Sequence, residues 1–174
     1  MRKILFFLRE LEAGDIDWII ATSDKMTLTK GTVLINEERY VQALYILCRG
    51  KLTVASSPHP ELPITTLSVG DLVGELSFLD ARPPNATVTA VTDSVVLALP
   101  KTKIEDKLTH DLGFAVRFYR ALGVLVAARL RRTVHLLSQY GDHGEVEELD
   151  ERSEGDVALA EQWFDFLIRR VESG

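Results

Sequence analysis

Four histidines (His59, His110, His135 and His143) and one thiol, Cys48, are the side chains in this 174-residue chain with the chemistry of metal ligands or nucleophiles. Their spacing suits neither role. Zinc sites gather cysteine and histidine in closely spaced pairs, whereas here a single thiol stands among scattered imidazoles, each read as an ordinary surface or helix residue. There is no Gly-x-Ser-x-Gly elbow, phosphate loop or dinucleotide fingerprint. The acidic pairs Glu37-Glu38 and Glu105-Asp106 fall in a turn and at a helix start, where solvated carboxylates are common. The expectation is a protein without catalytic residues, metal site or cofactor. The stretch with most chemical content runs from Ser68 to Ala90, where Gly74-Glu75 sets a carboxylate at a helix start and Arg82-Pro83-Pro84-Asn85 makes a stiff corner. Such a carboxylate is stabilised by the helix's own amides whether or not a ligand is present.

Elements must hold that stretch in place, and the length suffices for one compact domain with an accessory helix. Apolar residues make up 46% and charged residues 26%, enough for a real core. The net charge of −6 is unevenly placed: residues 142–174 carry 11 acidic and 3 basic groups. An acidic tail argues against a general phosphate-backbone binder, and Arg169-Arg170 is its one basic pair, so nucleic acid is not an expected partner. A lone cysteine cannot staple the chain and fits a reducing compartment. The apolar run Ile4 to Leu8 is too short for an export signal, and no stretch approaches a membrane span. A cytoplasmic protein is expected.

Apolar residues at three- and four-residue steps predict helix over 4–22, divided by Gly14 and with Asp15 capping the second half. Short β-branched runs follow at 32–35, 41–48, 52–54, 64–67, 86–91 and 95–99, with Gly31, Gly50 and Gly70 at their corners. Many short strands with evenly spaced glycine corners read as a sandwich, barrel or rolled sheet. Pro100 closes the last strand, and Thr102-Lys103-Ile104-Glu105 has capping-box form. A long helix is expected from about Thr109 to Gln139, with a seam of Leu112, Ala115, Tyr119, Leu122, Val126, Leu130, Thr133 and Leu137. That seam predicts pairing with a second copy, a homodimer. Residues 142–156 have linker composition. They lead into an amphipathic helix, capped by Asp156, whose stripe includes Ala160, Trp163, Phe164, Leu167, Ile168 and Val171. The stripe has two readings: packing on its own domain or dimer mate, or docking of a protein partner through Trp163, Phe164, Leu167 and Ile168.

The run Ser68-Val69-Gly70-Asp71-Leu72-Val73-Gly74-Glu75-Leu76, continued to Ala86-Thr87-Val88, resembles the phosphate-binding cassette of cyclic-nucleotide-binding domains. Gly31 to Glu37 and Leu44 to Leu52 resemble that family's opening strands, and the likeness covers roughly residues 4–139. It implies a mainly β fold with flanking helices: an antiparallel β-roll of double-stranded β-helix or jelly-roll type. A long C-terminal dimerisation helix and a terminal amphipathic helix complete the expected architecture. The domain plan is N-terminal helices and roll at 1–100, C-terminal helices at 101–140, acidic linker at 141–156 and terminal helix at 157–174.

The resemblance implies that Gly74 lets the backbone approach a sugar-phosphate, that Glu75 accepts a hydrogen bond from a ribose hydroxyl, and that Leu76 contributes a backbone contact. Thr133 falls near a position where some relatives set a hydroxyl against the purine. One departure stands out. Where the family keeps an arginine for the phosphate, this chain has Pro84, which offers neither charge nor amide hydrogen. Arg82 could supply the missing cation, or Asn85 and the Ala86 amide could bind phosphate neutrally; equally, Arg82 is a solvated turn residue in a corner that stiffens the roll. The implied function is a non-catalytic regulatory module that senses a cyclic nucleotide or related phosphate ligand, with weakened or altered specificity, and relays it to a protein partner. A ligand-free interaction scaffold is the alternative, and a DNA-binding regulator a third reading. The catabolite-activator type carries a helix-turn-helix after its long helix, and the 33 residues after Gly141 are not expected to form one.

Overall fold

The computed structural model describes residues 4–57, 62–139 and 154–173. Two short helices, α1 (Ile4–Leu8) and α2 (Ala13–Thr22), precede eight strands. These are β1 (Asp24–Leu28), β2 (Val33–Ile35), β3 (Ala43–Arg49), β4 (Leu52–Ala55), β5 (Thr65–Leu67), β6 (Leu72–Val73), β7 (Thr87–Ala90) and β8 (Ser94–Pro100). A one-turn helix, α3 (Glu75–Leu79), interrupts them after β6, and α4 (Lys101–His110), α5 (Leu112–Gln139) and α6 (Glu154–Ser173) follow. The strands form two antiparallel four-stranded sheets, ordered β1-β8-β3-β6 and β2-β7-β4-β5. This is the mainly β architecture with flanking helices that the sequence implies.

Alternation along β3 and β8 builds two cores from one sheet. Leu47 and Val96, with Leu28 of the same sheet, point into the roll, where they meet Leu52 and Val88 of the facing layer. Leu44, Ile46, Val95, Leu97 and Leu99 point the other way, onto the helices. With both faces covered, these strands read as nearly unbroken apolar runs, as a sheet buried on both sides requires. At the corner after β3, Gly50 has φ +93°, and a Cβ there would sit 2.2 Å from the Ser94 Oγ, so no larger residue fits without moving the turn.

Several boundaries differ from the expected ones. Gly14 lies inside α2 rather than dividing the N-terminal helices, and the break falls at residues 9–12. The cap is Glu12, with Asp15 as its reciprocal partner: the Glu12 amide donates to Asp15 Oδ2 at 3.0 Å. β1 and β6 carry no apolar pattern long enough to announce them; β1 is a polar edge strand and β6 has two residues. Pro100 is the last residue of β8 and the N-cap of α4, so Thr102 to Glu105 sit inside that helix instead of capping it. The long helix starts at Leu112, not near Thr109, because Asp111 interposes a cap: its Oδ1 accepts the Phe114 amide at 2.8 Å.

The face that α5 presents to its own domain is Phe114, Phe118, Ala121, Leu122 and Leu125, all fully buried. Phe118 meets Phe7 of α1 edge-on at 5.6 Å. The expected dimer seam is therefore divided. Leu122 belongs to the buried stripe and is not available to a second copy, whereas Leu112, Tyr119, Leu130 and Thr133 lie exposed and Val126 half-buried. The Leu137 side chain lies outside the described residues, as do residues 141–153 of the expected linker. Helix α6 begins at Glu154, ahead of the expected Asp156 cap. Its stripe turns inward: Ala160, Phe164 and Leu167 are fully buried, with Trp163 and Ile168 packed partly against the same core. In this arrangement two of the four residues considered for partner docking, Phe164 and Leu167, are buried in the chain's own core, and Trp163 and Ile168 stay half-exposed.

Ion pairs tie the N-terminal helices to α5: Arg120 meets Glu10 at 2.7 Å and Arg117 meets Glu12 at 3.4 Å, and the most buried of them joins Arg117 to Asp15. Arg117 donates from Nε to Asp15 Oδ2 at 2.6 Å and from Nη2 to Oδ1 at 2.9 Å, while Asp15 is 4% exposed. Burial pulls the Asp15 carboxyl upward, but bonds from Arg117 and the Glu12 amide outweigh it and hold the group below its ordinary value. A carboxyl depressed in the folded state adds stability above its unfolded pKa and loses it as pH falls through the folded one. Arg117→Met, which strands a buried carboxylate, is expected to cost about 3 kcal/mol at pH 7 in urea unfolding. The gap between wild type and Asp15→Asn should narrow below about pH 4. A pH-independent gap would refute this assignment.

Candidate functional site

The cassette is built from turns anchored on β3. Asp71, itself buried, accepts the Ser68 amide at 2.9 Å, closing the turn before β6. The Leu47 amide donates to the Asp71 carbonyl at 2.9 Å and the Gly70 amide to the Leu47 carbonyl at 2.8 Å. Gly74 then takes φ +95° as the N-cap of α3, and a Cβ there would stand 2.8 Å from the Ala43 carbonyl oxygen. Only glycine lets α3 start this close to β3.

Glu75, the first residue of α3, is 4% exposed. Its carboxylate accepts a hydrogen bond from Nη1 of Arg129 on α5, and Nη2 of the same guanidinium donates to the Leu72 carbonyl. Arg129 therefore bridges a side chain of the cassette and a carbonyl of β6, with a charge on each side of the Glu75 bond. Three residues on, Phe78 packs edge-on against Phe118 at 5.8 Å and leans on Tyr119 at 6.3 Å. Helix α3 thus touches α5 through both an aromatic contact and an ion pair.

The remaining predicted residues are placed as follows. Leu76 is exposed beside Glu75. Arg82 is exposed after a left-handed Ala81 (φ +55°), its amide donating to Asp80 Oδ1 at 3.1 Å. Asn85 is exposed and Ala86 half-buried where β7 begins. The Pro84 carbonyl accepts the Glu38 amide at 3.0 Å, and Thr87 Oγ1 accepts the Glu37 amide at 3.2 Å, so the turn after β2 closes one side of this corner. The Thr133 hydroxyl donates to the Arg129 carbonyl at 3.0 Å and is exposed, one helical turn beyond the residue that reaches Glu75 and on the same face. Gly74, Glu75 and Leu76 are thus consecutive and Arg82 to Ala86 form the next corner, while the Thr133 hydroxyl is bonded within α5 and to no cassette residue.

Arg129 was not among the residues that sequence reasoning selected. Its one signal is a position four residues before Thr133, which places both on one helix face. Cys48 is buried on β3 and desolvation pushes its thiol up to about 12, leaving it protonated and inert near neutral pH. Among the described residues no group of three histidine, cysteine or acidic side chains could hold a metal ion. His59 and His143 lie outside them.

Comparison with known proteins agrees with this fold. Residues 25–111 match the family described as cyclic nucleotide-binding domain. The N-terminal domain of a transcriptional regulator from Streptomyces coelicolor is similar in structure, with 28% identity, a TM-score of 0.60, and coverage of 74% of this chain and 90% of that one. The regulatory subunit of a cAMP-independent protein kinase A from Trypanosoma brucei shares 25% identity with a TM-score of 0.55, covering 74% of this chain and 41% of that one. A cyclic nucleotide-binding domain from Methylobacillus flagellatus has a TM-score of 0.69 at 16% identity, covering 83% and 85%. No curated protein sequence is significantly similar to the chain.

Replacing Arg129 with leucine leaves the Glu75 carboxylate buried without its partner. The expected result is a loss of about 3 kcal/mol in chemical denaturation and faster amide hydrogen exchange in α5 beyond Leu125. Unchanged exchange there would show that the pair does not hold the helix.

Proposed function

The chain belongs to the cyclic nucleotide-binding domain family, and from that premise we propose that it is a non-catalytic regulatory module. Its cassette, Gly74 to Ala86, takes a cyclic nucleotide or related phosphate ligand with altered specificity, and α5 relays occupancy to a protein partner. The observation that carries this reading is the Glu75–Arg129 pair, which joins the proposed ribose-binding carboxylate directly to the long helix. A sugar hydroxyl bonded to Glu75 draws on the same oxygens that hold Arg129. Ligand therefore has a differential affinity for two poses of α5, which is what a population shift requires.

The phosphate end sets the specificity. At Pro84 the chain offers a carbonyl already bonded to Glu38 and no cation, so an anion must be met by a cation from elsewhere, such as Arg82, or by neutral donors around Asn85 and Ala86. A charged bidentate bond exceeds a neutral one by roughly 1 to 2 kcal/mol. Titration calorimetry with cAMP, cGMP and cyclic dinucleotides tests the proposal. Pro84→Arg should tighten binding about tenfold or more, and Glu75→Ala should abolish it. No heat from wild type, with binding appearing only in Pro84→Arg, would overturn the sensor reading in favour of an interaction scaffold. That second reading draws on Glu75 being satisfied by Arg129 without any ligand. A DNA-binding regulator would instead show salt-sensitive association with duplex.

The outward stripe of α5 is the proposed homodimer surface. Leu112, Val116, Tyr119, Leu130 and Val134 are exposed along it, and Gly123 has no atom within 4 Å of a built Cβ. Light scattering at high micromolar concentration should give twice the 19.5 kDa chain mass, and Tyr119→Glu/Leu130→Glu should return a monomer. A wild-type monomer at that concentration would refute the dimer. No helix of the described residues is long and apolar enough to cross a membrane, and an unpaired Cys48 suits the proposed cytoplasmic setting.

A further inference from the structure

The corner at Pro84 is not isolated from positive charge. β2 pairs with β7, Ile35 lying opposite Val88, so the chain leaving β2 turns back at residues 36–39 alongside the end of the cassette. Two bonds fix that turn to the corner: the Glu38 amide to the Pro84 carbonyl at 3.0 Å, and the Glu37 amide to Thr87 Oγ1 at 3.2 Å. A third, from the Arg39 amide to the Asn36 carbonyl at 3.3 Å, closes the turn on itself, with Glu38 held at φ +64°. Arg39 is thus one residue from a group bonded to the position where a family member keeps its phosphate-binding arginine.

Arg39 and Arg82 are the two cations near the corner, and the turn that carries Arg39 is the one bonded to Pro84. The Glu37 carboxylate is engaged by the Ser57 amide at 2.6 Å and hydroxyl at 2.7 Å, which turns it toward residue 57. Arg39 is exposed, and its guanidinium has no ion pair or hydrogen bond among the described residues. Arg82 has its amide bonded to Asp80 Oδ1 at 3.1 Å, which fixes its backbone to the turn before the corner, and its guanidinium, like that of Arg39, has no partner among the described residues. Glu38, exposed on the same turn, is the one carboxylate adjacent to Arg39 with no such partner. A guanidinium meets a phosphodiester through two parallel N–H bonds, and a long side chain on a fixed turn can present them without the cassette carrying the charge itself.

We infer that Arg39 supplies the counter-charge for the ligand's anionic phosphodiester in place of the cation absent at Pro84, an inference that rests on the sensor reading above. The site then takes a cyclic nucleotide whose phosphate is held from the turn after β2, with Glu75 on the sugar.

Calorimetry on wild type, Arg39→Ala, Arg82→Ala and the double variant Arg39→Ala/Pro84→Arg tests it with cAMP, cGMP and cyclic di-GMP, with adenosine as a probe that has no phosphate. Arg39→Ala should weaken the bound nucleotide about tenfold or more and leave adenosine unchanged. The double variant should recover most of that loss, and Arg82→Ala should change little. Equal binding by Arg39→Ala and wild type overturns the inference while leaving the sensor reading intact. Equal losses for nucleotide and adenosine overturn it too, since they mark a structural role. Silence from wild type toward every nucleotide overturns the sensor reading itself.

Discussion

The ion pair between Glu75 and Arg129 is the constraint on which the organisation of this protein turns. A carboxylate removed from water at the start of α3 must be met by a cation or become protonated, and the residue that meets it belongs to α5, 54 positions later in the chain. That requirement fixes where the distal half of α5 can lie. The pair also joins the cassette to α5 by a direct bond rather than through a chain of intermediates. The same guanidinium satisfies the Leu72 carbonyl, so the pairing holds β6 as well as α3.

The β-roll makes that arrangement possible by being buried twice. One sheet packs its inner face into the roll and its outer face onto helices, so the cassette sits on a platform with little freedom to deform. Gly74 completes the platform: its positive φ and the nearby Ala43 carbonyl let α3 begin directly against β3. Relatives at 16 to 28% identity keep the roll while their sequences diverge, as expected when a fold depends on alternation and glycine corners more than on particular side chains.

Much of this could be read from the residues alone. Alternating apolar residues marked β3, β4, β7 and β8, and the order of glycines around Glu75 marked the cassette. What escaped notice did so for physical reasons. β1 is a polar edge strand whose pairing with β8 is decided by tertiary contacts. α5 carries apolar residues at 112, 114, 115, 116, 118, 119, 121 and 122, so three- and four-residue steps can be traced along more than one stripe. The seam chosen from spacing crossed from the outward stripe to the inward one at Leu122. Asp111 was read as helix interior, although an aspartate two residues before Gly113 is well suited to capping. Arg129 escaped selection because its partner is distant in sequence. The stripe on α6 was legible as amphipathic, but periodicity alone does not say which surface receives it.

The N-terminal half of α5 is gripped from several directions. Phe114 and Phe118 are sunk among aromatic rings and Arg117 is locked to Asp15, while beyond Leu125 the side chain seen reaching the cassette is Arg129. A helix clamped at one end and tethered near its middle behaves as a cantilever. The stretch from Val126 to Gln139 projects about 20 Å past the clamp, so a small tilt at the tether is multiplied at the tip. Loosening one guanidinium would therefore be felt most strongly far from the pocket, in the part of the helix that leads toward α6.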